Sequence, residues 1–423
     1  MMAICTSFLS LYRSQKVDKQ VLYISYDGMT DPLGQSQVIP YLIGLSRAGY
    51  KITLLSCEKR EKYEAQGNYI HELLKEHNIH WEFIFFTSSP PILAKYYDLH
   101  NLKNRAIQLY RRAPFSLVHC RSYVSAAVGF MLKQKFGIKF LFDIRGFWVD
   151  ERVDGGLWDL KNPFYKRAYQ IYKKKEARYV SNADTIVSLT ENGKQEMEKW
   201  PSYKGCSIDV IPCCADYDLF TLQSDQERDE SKAQLGFAKD DFVISYLGSI
   251  GTWYMLEEML DFFKQLKSVT PKAKFLFVSN GEEQVILNAA EARGIAASDI
   301  KIVTGKRKEV PGLIKASSLS LSFIKPCYSK KSSSPTKLGE LLAMGIPVIN
   351  NTAIGDVDEI ILYTGGGLML MDFLPKEYKR VIDQLDNYLS NYKAAEIRQR
   401  SQKYYDLKDG VEKYKNIYDR LLK

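Results

Sequence analysis

The sequence predicts an α/β protein with two doubly wound domains, and three observations lead to this fold class. Most apolar segments are short continuous runs, which are typical of parallel strands covered on both faces. Helical patterns fall between most of these runs, which is the order of βαβ units. The chain has 423 residues, and this length is enough for two domains that each bury a full core.

The first half opens with one βαβ unit. A strand at residues 20–25 is followed by a loop at 26–34, and a helical pattern over 37–47 ends at Gly49 before a strand at 51–56. Apolar runs then continue to alternate with helical patterns. These segments predict strands at 115–119, 138–142 and 185–189 and a helix at 123–134.

The second half begins near residue 240 and repeats this alternation. A strand at 241–247 leads through a small loop at 248–251 into a helix at 253–267. Helical patterns dominate from about residue 374 to the end. Further strands are predicted at 274–279, 300–303, 319–323 and 347–349.

These patterns predict five parts of the chain. We expect a disordered leader, an N-terminal Rossmann-like domain, an interdomain crossover, a C-terminal Rossmann-like domain and a last helix that returns to the N-terminal domain. Their boundaries, in that order, are 1–20, 21–205, 206–235, 236–400 and 401–423.

The composition indicates a soluble globular protein. Hydrophobic residues make up 45% and charged residues 26% of the chain, and no apolar run approaches the roughly 20 residues of a membrane-spanning helix. Seven cysteines, an odd number without a C-x-x-C pair, favour free thiols in a reducing compartment. We therefore expect a cytoplasmic protein, and we predict no metal site because the histidines and cysteines lack metal-ligand spacing.

The net charge of +9 is concentrated in basic clusters at 103–112 and 166–178. The second cluster is compatible with an amphipathic surface helix, with contact to an anionic membrane at the inner face of the cell, or with nucleic acid. The sequence contains no recognised nucleic-acid motif, so we predict no nucleic-acid partner.

The segment 330–349 is the most informative stretch of the sequence. It predicts a helix with Ser334 as N-cap and Pro335 at the first helical position, and such an N-terminus binds phosphate readily. Lys337 in the first turn is unfavourable by about 0.3–1 kcal/mol unless an anion is bound. Glu340 lies on the same helix face, where its carboxylate can accept hydrogen bonds from a vicinal diol. The two interpretations are a nucleotide site and an ordinary capped helix.

Doubly wound domains bind ligands at the carboxyl ends of their strands. The helix that follows the strand at 319–323 begins at this edge, and the loop at 27–34 lies at the corresponding edge of the first domain. If the two edges face each other, the active site is the cleft between the domains.

Three motifs carry a resemblance to a known family. They are residues 31–37 after the first strand, the crossover at 211–220, and Glu340-Leu-Leu-Ala-Met-Gly-Ile-Pro-Val-Ile349. From about 20 to 420 the chain resembles the retaining family-4 glycosyltransferases (glycosyl transferases group 1) with the GT-B fold. The resemblance implies a UDP-sugar or another nucleotide sugar as substrate, a glycan or lipid-linked acceptor, no cofactor and no metal. It further implies a departing phosphate that acts as base, without a protein nucleophile.

The resemblance also assigns roles to individual residues. Glu340 corresponds to the glutamate that binds the donor ribose, and Gly34 to a glycine close to the diphosphate and the reacting sugar. The predicted donor-binding residues are Gly34, Gly248, Ser249, Lys331, Ser332, Ser333, Ser334, Lys337 and Glu340.

Two positions depart from the family pattern. Ser332 stands where a second glutamate often contacts the donor sugar, and the loop at 248–254 lacks the Arg and Lys that many members carry there. The diphosphate then needs other cations, which we expect to be Lys337, Lys331, Lys325 and Arg145.

The catalytic residues are predicted at two strand ends of the first domain. Arg145 and Asp143 follow one strand beside aromatic residues, and their alternative role is a structural ion pair. His119 follows another strand, and it is either a substrate contact or a core histidine. Asp356 and Asp358 are interpreted as first-turn acids of a helix rather than as a metal site.

These observations predict a retaining glycosyltransferase that is metal-independent and acts in cell-surface polysaccharide or lipopolysaccharide synthesis. Two alternatives remain, a sugar-nucleotide 2-epimerase of the same fold and a non-catalytic GT-B subunit.

Overall fold

A computed structural model describes residues 19–89 and 91–423. The leader predicted at 1–20 lies outside the described residues except for its last two. The described chain forms two parallel sheets with helices on both faces, so the predicted α/β class is confirmed.

The first sheet has the strand order β3-β2-β1-β4-β5-β6-β7, and every pair is parallel. The two edge strands, β3 and β7, are missing from the prediction, because half-exposed edge strands carry polar residues that interrupt the apolar run. The strands are β1 (Gln20–Ser25), β2 (Lys51–Glu58), β3 (His80–Phe85), β4 (Leu117–Arg121), β5 (Lys139–Asp143), β6 (Thr185–Ser188) and β7 (Ser207–Val210).

Helices cover both faces of this sheet. The segment predicted as one helix over 37–47 extends further toward the N-terminus and is divided at Val38, where Pro40 removes a backbone donor from the following turn. The helices are α1 (Pro32–Gln37), α2 (Ile39–Arg47), α3 (Arg60–Glu76), α4 (Pro91–Arg112), α5 (Ser122–Phe136), α6 (Trp148–Asp154), α7 (Pro163–Asn182) and α8 (Glu191–Glu198).

Alternate residues of the strands enter two separate cores. Leu22, Val118 and Phe140 pack under α4, α5 and α7, whereas Val21, Leu117 and Leu141 pack under α2 and α3. Helices therefore cover both faces of the sheet and exclude water from them, which explains the continuous apolar runs of the central strands.

The second sheet has the order β10-β9-β8-β11-β12-β13 and is also parallel. Its strands are β8 (Phe242–Leu247), β9 (Ala273–Val278), β10 (Ile300–Val303), β11 (Leu319–Ser322), β12 (Val348–Asn351) and β13 (Gly367–Leu370). Its helices are α9 (Asp225–Leu235), α10 (Leu256–Val269), α11 (Glu283–Glu291), α12 (Val310–Ile314), α13 (Thr336–Ala343), α14 (Val357–Thr364) and α15 (Pro375–Asn391).

The C-terminal segment crosses from the second domain to the first. Helix α16 (Ala394–Tyr405) packs on α13 and α14, and α17 (Leu407–Leu421) packs on α2. Tyr414 and Tyr418 of α17 are buried in the core under α2. Residue 401, the predicted boundary of this segment, lies inside α16.

Candidate active site

The carboxyl ends of the two sheets meet at the domain boundary. The Phe147 N–H, in the loop after β5, donates to Ser332 Oγ at 3.0 Å. The Thr190 hydroxyl, after β6, donates to the Lys331 carbonyl at 2.6 Å. Both acceptors lie in the segment between β11 and α13, so the loop predicted to hold the diphosphate borders both domains.

Asp356 adds a further interdomain contact. It is the N-cap residue of α14, and its carboxylate accepts hydrogen bonds from the N–H groups of Glu191 and Asn192 at 2.7 and 3.0 Å. An acid at the N-terminus of α8 is favoured by the helix dipole. The prediction that Asp356 lies at the start of a helix is correct, because it precedes α14. Its carboxylate, however, stabilises the N-terminus of α8, which belongs to the other domain.

We expect Asp356→Ala to destabilise the closed arrangement of the domains by about 0.5–2 kcal/mol, the usual cost of a lost helix cap. Thermal unfolding and small-angle scattering measure this effect. Asp358→Ala is the matched control, because Asp358 bonds the Ala353 N–H within its own domain. Equal shifts of Tm and an unchanged radius of gyration in both variants would contradict the interdomain role.

Helix α13 begins differently from the prediction. It starts at Thr336 with Pro335 at its cap position, and no side chain of the described residues caps it. The Ser334 hydroxyl instead accepts a hydrogen bond from the Cys213 N–H at 3.1 Å. The predicted Ser334 N-cap is therefore wrong, because the crossover presents a backbone donor that takes the hydroxyl. The first N–H groups of α13 have no side-chain acceptor from a capping residue.

Lys337 extends from this first turn into a largely aromatic environment. Its side chain is 7% exposed, and Nζ lies 4.0 Å and 3.9 Å from the ring centres of Tyr246 and Tyr254. Among the described residues, Nζ has no hydrogen-bond partner. Burial lowers the pKa of Lys337 well below its ordinary value, although Glu340 acts in the opposite direction. Within the part of the chain that the structure describes, Lys337 is thus a buried amine without a hydrogen-bonding anion.

Gly248 makes room for this amine. Its φ of +126° is a conformation that favours glycine, and an added Cβ would lie 3.2 Å from Lys337 Nζ. The neighbouring Ser249 contributes its carbonyl, which accepts a hydrogen bond from the Tyr246 hydroxyl at 2.7 Å. The loop of Gly248 and Ser249, which the sequence predicts at the donor, therefore borders Lys337 with its backbone rather than with its side chains.

Glu340 forms a salt bridge that the sequence did not predict. Its Oε1 accepts from Arg307, which lies in the loop after β10 and places its guanidinium 4.7 Å from the Phe220 ring centre. Burial raises the pKa of Glu340, while Arg307 and Lys337 oppose this increase. A basic run at 306–308 after a strand was the available signal for Arg307.

The other residues of the predicted diphosphate loop contact protein atoms. Ser332 donates to the Ser329 carbonyl at 3.0 Å in addition to its bond with Phe147, and Ser333 lines a cavity beside α14. Lys331 Nζ lies 3.0 Å from Glu196, and Lys325 Nζ donates to the Asp154 carbonyl at 2.9 Å. In this structure Lys325 and Lys331 contact residues of the first domain, and their role toward a diphosphate stays a prediction.

Gly34 lies in α1 and supports the glycine loop. A Cβ at this position would clash with the Gly28 carbonyl oxygen and would lie 2.7 Å from Met29 Cα. The loop is held from below by Glu58, which accepts from the N–H groups of Met29 and Thr30 at 2.7 and 3.2 Å. Sequence reasoning missed Glu58, a buried acid at the end of β2.

The three predicted catalytic residues cluster under the cleft. His119 and Asp143 are each 1% exposed, with His119 Nε2 3.5 Å from Asp143 Oδ2. Tyr414 donates to Asp143 Oδ2 at 3.1 Å, and the Tyr418 hydroxyl lies 2.8 Å from His119 Nδ1. Helix α17 thus completes this cluster, which the sequence could not indicate.

Arg145 connects the cluster to the start of α13. Its backbone is left-handed with φ +59°, its Nη1 lies 3.8 Å from Asp143, and its Nη2 donates to the Cys213 sulfur at 3.2 Å. Cys213 is the residue whose N–H bonds Ser334. His119 and Asp143 therefore contact Arg145 and tyrosines in this structure, and their contact with substrate stays a prediction.

Burial and the neighbouring charges together determine the protonation of this cluster. Burial lowers the pKa of His119, against the effect of Asp143, so a neutral imidazole is favoured. Burial alone would raise the pKa of Asp143, but Arg145, His119 and Arg121 together lower it. Asp143 is therefore an anion held next to a buried guanidinium.

Three buried cationic side chains each have a nitrogen without a hydrogen-bond partner in the part of the chain that the structure describes. These atoms are Arg121 Nη1, Arg145 Nε and Lys337 Nζ. Unsatisfied buried donors are uncommon in native proteins. Arg145 and Lys337 lie near the uncapped start of α13, so the arrangement suits a polyanionic ligand.

Within the described residues, no group of three His, Cys, Asp or Glu side chains is arranged to hold a metal ion. No helix among them combines the length and hydropathy needed to cross a membrane.

Two family models match the chain. The model described as Glycosyltransferase Family 4 matches residues 38–219, and the one described as glycosyl transferases group 1 matches residues 227–404. The D-inositol 3-phosphate glycosyltransferase of Corynebacterium jeikeium (strain K411) is 24% identical over 136 residues, which are 32% of this chain. The match spans about a third of that relative, 31% of its length.

Several solved structures share the whole fold. Sucrose-phosphate synthase from Thermosynechococcus elongatus aligns with a TM-score of 0.69 at 15% identity and covers 95% of this chain and 98% of its own. HepE from Anabaena in complex with UDP-glucose has a TM-score of 0.70 at 14% identity, covering 95% and 99%. WaaG, a glycosyltransferase involved in lipopolysaccharide biosynthesis, has a TM-score of 0.66 at 14% identity, covering 94% and 99%. At these identities the likeness establishes the fold.

Proposed function

Because the chain belongs to the family-4 glycosyltransferases of the GT-B fold, we propose that it transfers a sugar from a nucleoside diphosphate sugar to a hydroxyl of a glycan or lipid-linked acceptor, with retention of configuration. The observation that carries this proposal is the pair of buried nitrogens without a hydrogen-bond partner among the described residues, Arg145 Nε and Lys337 Nζ, near the start of α13.

These groups match the charge that develops in the reaction. Breaking the bond between the sugar and the diphosphate places negative charge on the leaving phosphate, and prearranged positive groups stabilise this charge. Lys337 and the first N–H groups of α13 come from the second domain, and Arg145 comes from the first. In this proposal both cations contact the leaving diphosphate, one from each domain.

No protein nucleophile is needed in this proposal. The acceptor hydroxyl attacks from the side of the leaving group, its proton passes to the departing phosphate, and the new glycosidic bond forms on the face that the nucleotide leaves. Because the side chains and a helix N-terminus supply the positive charge, we propose a reaction that does not require a divalent cation.

Glu340 and Arg307 are assigned to the nucleoside end of the donor. The salt bridge between them leaves Glu340 to accept a ribose hydroxyl once the nucleotide is bound, with Arg307 holding the carboxylate in place. HepE in complex with UDP-glucose supports a UDP-sugar as the first donor to test. The likeness to WaaG, involved in lipopolysaccharide biosynthesis, supports cell-surface glycan synthesis as the role, and we propose the cytoplasm as its location.

A thermal-shift screen over UDP, GDP, ADP and their sugars tests the donor. One nucleoside diphosphate at a hundredfold excess over its Kd should stabilise the protein by about 2.7 kcal/mol and raise Tm by several degrees. Glu340→Gln should remove this shift, and Glu291→Gln on the exposed face of α11 is the matched control. The absence of a shift with every nucleotide would contradict the proposal.

Product analysis separates the alternatives. A transferase releases the nucleoside diphosphate only as sugar is transferred to an acceptor or, slowly, to water, and the product keeps the anomeric configuration of the donor. Nucleotide binding without turnover on any acceptor would instead identify a non-catalytic subunit. Release of nucleotide with inversion at C2 of the sugar would identify a 2-epimerase.

A further inference from the structure

Helices α4 and α7 form one continuous side of the first domain. Both pack on α5 and cover the same face of the first sheet. Each helix contains a single acidic residue, and both acids are buried, Asp98 at 0% and Glu176 at 2% exposure. Asp98 accepts from the Tyr26 hydroxyl and Glu176 from the Tyr123 hydroxyl. The outer side of the two helices therefore carries no carboxylate of its own.

Positive charge dominates this side, which we call the basic face. Among its basic residues, Arg105 and Arg112 lie near Glu82, and Lys173 pairs with Asp150. The remaining eight have no carboxylate within salt-bridge distance among the described residues: Lys95, Lys103, Arg111, Lys166, Arg167, Lys174, Lys175 and Arg178.

The fold brings like charges of different elements together on this face. Burial and the nearby charge of Lys103 on α4 both lower the pKa of Lys175 on α7. In the same way, burial and the neighbouring Arg152 on α6 lower the pKa of Lys95. Such repulsion is unfavourable in the free protein and is relieved when an anionic partner covers the face.

Exposed apolar side chains lie at one end of the basic face. Tyr96 and Tyr97 near the start of α4 are 63% and 59% exposed, and Phe164 at the start of α7 is 61% exposed. Leu157 and Leu160, in the segment leading into α7, are also exposed. Because helices of a doubly wound domain run back from the carboxyl edge of the parallel sheet, these residues lie on the side of the domain where the cleft opens.

We propose that the basic face, with its apolar end, docks on an anionic lipid surface. Lysines and arginines beside exposed aromatic and aliphatic side chains are typical of interfacial membrane segments. Aliphatic residues such as Leu157 and Leu160 suit the hydrocarbon boundary, whereas nucleic-acid surfaces place aromatic rings for base stacking. The inference rests on the proposed function and deepens it, because the cleft then opens toward the bilayer and the acceptor is lipid-linked.

Co-sedimentation of the full chain with vesicles tests this inference. We expect binding to phosphatidylcholine vesicles that contain phosphatidylglycerol, weak binding to phosphatidylcholine alone, and release by high salt. The variant Lys174→Glu/Lys175→Glu should lower the partition coefficient by about tenfold or more. The matched control is Lys264→Glu/Lys376→Glu, which makes the same change of net charge on exposed helices of the second domain.

A second pair of variants tests the apolar end. Leu157→Ser/Phe164→Ser should weaken vesicle binding even at low salt, whereas Val269→Ser/Leu362→Ser, at exposed positions of the second domain, should not. The inference is overturned if anionic vesicles are not preferred, or if the control variants lose as much binding. It is also overturned if the chain ignores vesicles but binds an oligonucleotide through the same lysines.

The nucleotide thermal shift, measured without vesicles on the same variants, separates this inference from the proposed function. We expect Lys174→Glu/Lys175→Glu and Leu157→Ser/Phe164→Ser to show the same nucleotide-induced shift of Tm as the unaltered chain. Nucleotide binding without vesicle binding would contradict only the inferred lipid docking. Vesicle binding without nucleotide binding would contradict the proposed nucleotide-sugar donor.

Discussion

Lys337→Met is expected to lower the rate of sugar transfer by two to three orders of magnitude and to leave the free protein at least as stable as before. Removing one group that stabilises a developing anion typically lowers kcat by about 10²–10³. Lys337 Nζ is buried between Tyr246 and Tyr254 without a hydrogen-bond partner among the described residues. A buried amine of this kind opposes folding, and methionine fills a similar volume without a charge.

The opposite signs of these two effects make the prediction specific. Steady-state kinetics with the donor found by the thermal-shift screen gives kcat, and urea unfolding gives the free energy of unfolding. Lys264→Met is the control, since Lys264 is an exposed lysine on α10 of the same domain and belongs to no predicted site. Normal turnover in Lys337→Met, or a large loss of stability, would contradict the assignment of Lys337 to the donor site.

The pH dependence of stability provides an independent check on Lys337. Its pKa is lowered in the folded protein, while the unfolded chain keeps a value of about 10.4. Between the two values the unfolded state binds more protons, so the free energy of unfolding rises with pH. The unaltered chain should therefore gain stability relative to Lys337→Met as the pH increases toward about 10, and no relative gain would contradict the lowered pKa.

Asp143→Ala is expected to give the largest loss of stability, about 3–5 kcal/mol. Asp143 is 1% exposed and lies 3.8 Å from the Arg145 guanidinium, so its removal leaves a buried positive charge without its counterion. The Tyr414 hydroxyl loses its acceptor at the same time. Urea unfolding measures the loss, and Asp209→Ala, which breaks an exposed pair with Arg420, should change stability by less than about 1 kcal/mol.

A double variant distinguishes packing from chemistry at this cluster. Asp143→Leu/Arg145→Met should recover most of the stability, because an apolar pair can replace a buried ion pair. Its transfer rate should stay low, because Arg145 no longer reaches the leaving phosphate. A double variant with normal turnover would show that Arg145 is a structural ion-pair partner only, which is the alternative that the sequence left open.

Acid should weaken the contribution of Asp143. The surrounding cations lower its pKa in the folded protein, so it stabilises the fold above the unfolded value of about 3.9 and loses this effect as the pH falls below it. The stability difference between the unaltered chain and Asp143→Asn should therefore shrink below about pH 4. A difference that grows in acid would contradict a lowered pKa.

The predicted elements succeeded where the physical signal is local. Central strands such as β1 and β8 are continuous apolar runs because both faces are covered. The edge strands β3 and β7 were missed because one side of an edge strand faces solvent or loops and tolerates polar residues. The Ser334 N-cap failed for a related reason, since a donor 121 residues away along the chain, the Cys213 N–H, takes its hydroxyl.

The sequence by itself determined the α/β class, the order of the elements and the motif at 340–349 that resembles family-4 glycosyltransferases. These features depend on the spacing of neighbouring residues, which a single chain displays directly. Only the tertiary structure decided which partners the charged residues of the site have. Glu340, Lys331, Asp143 and His119 contact Arg307, Glu196, Tyr414 and Tyr418, respectively. Such contacts join residues that are distant in the chain, and no local pattern records which of them the fold brings together.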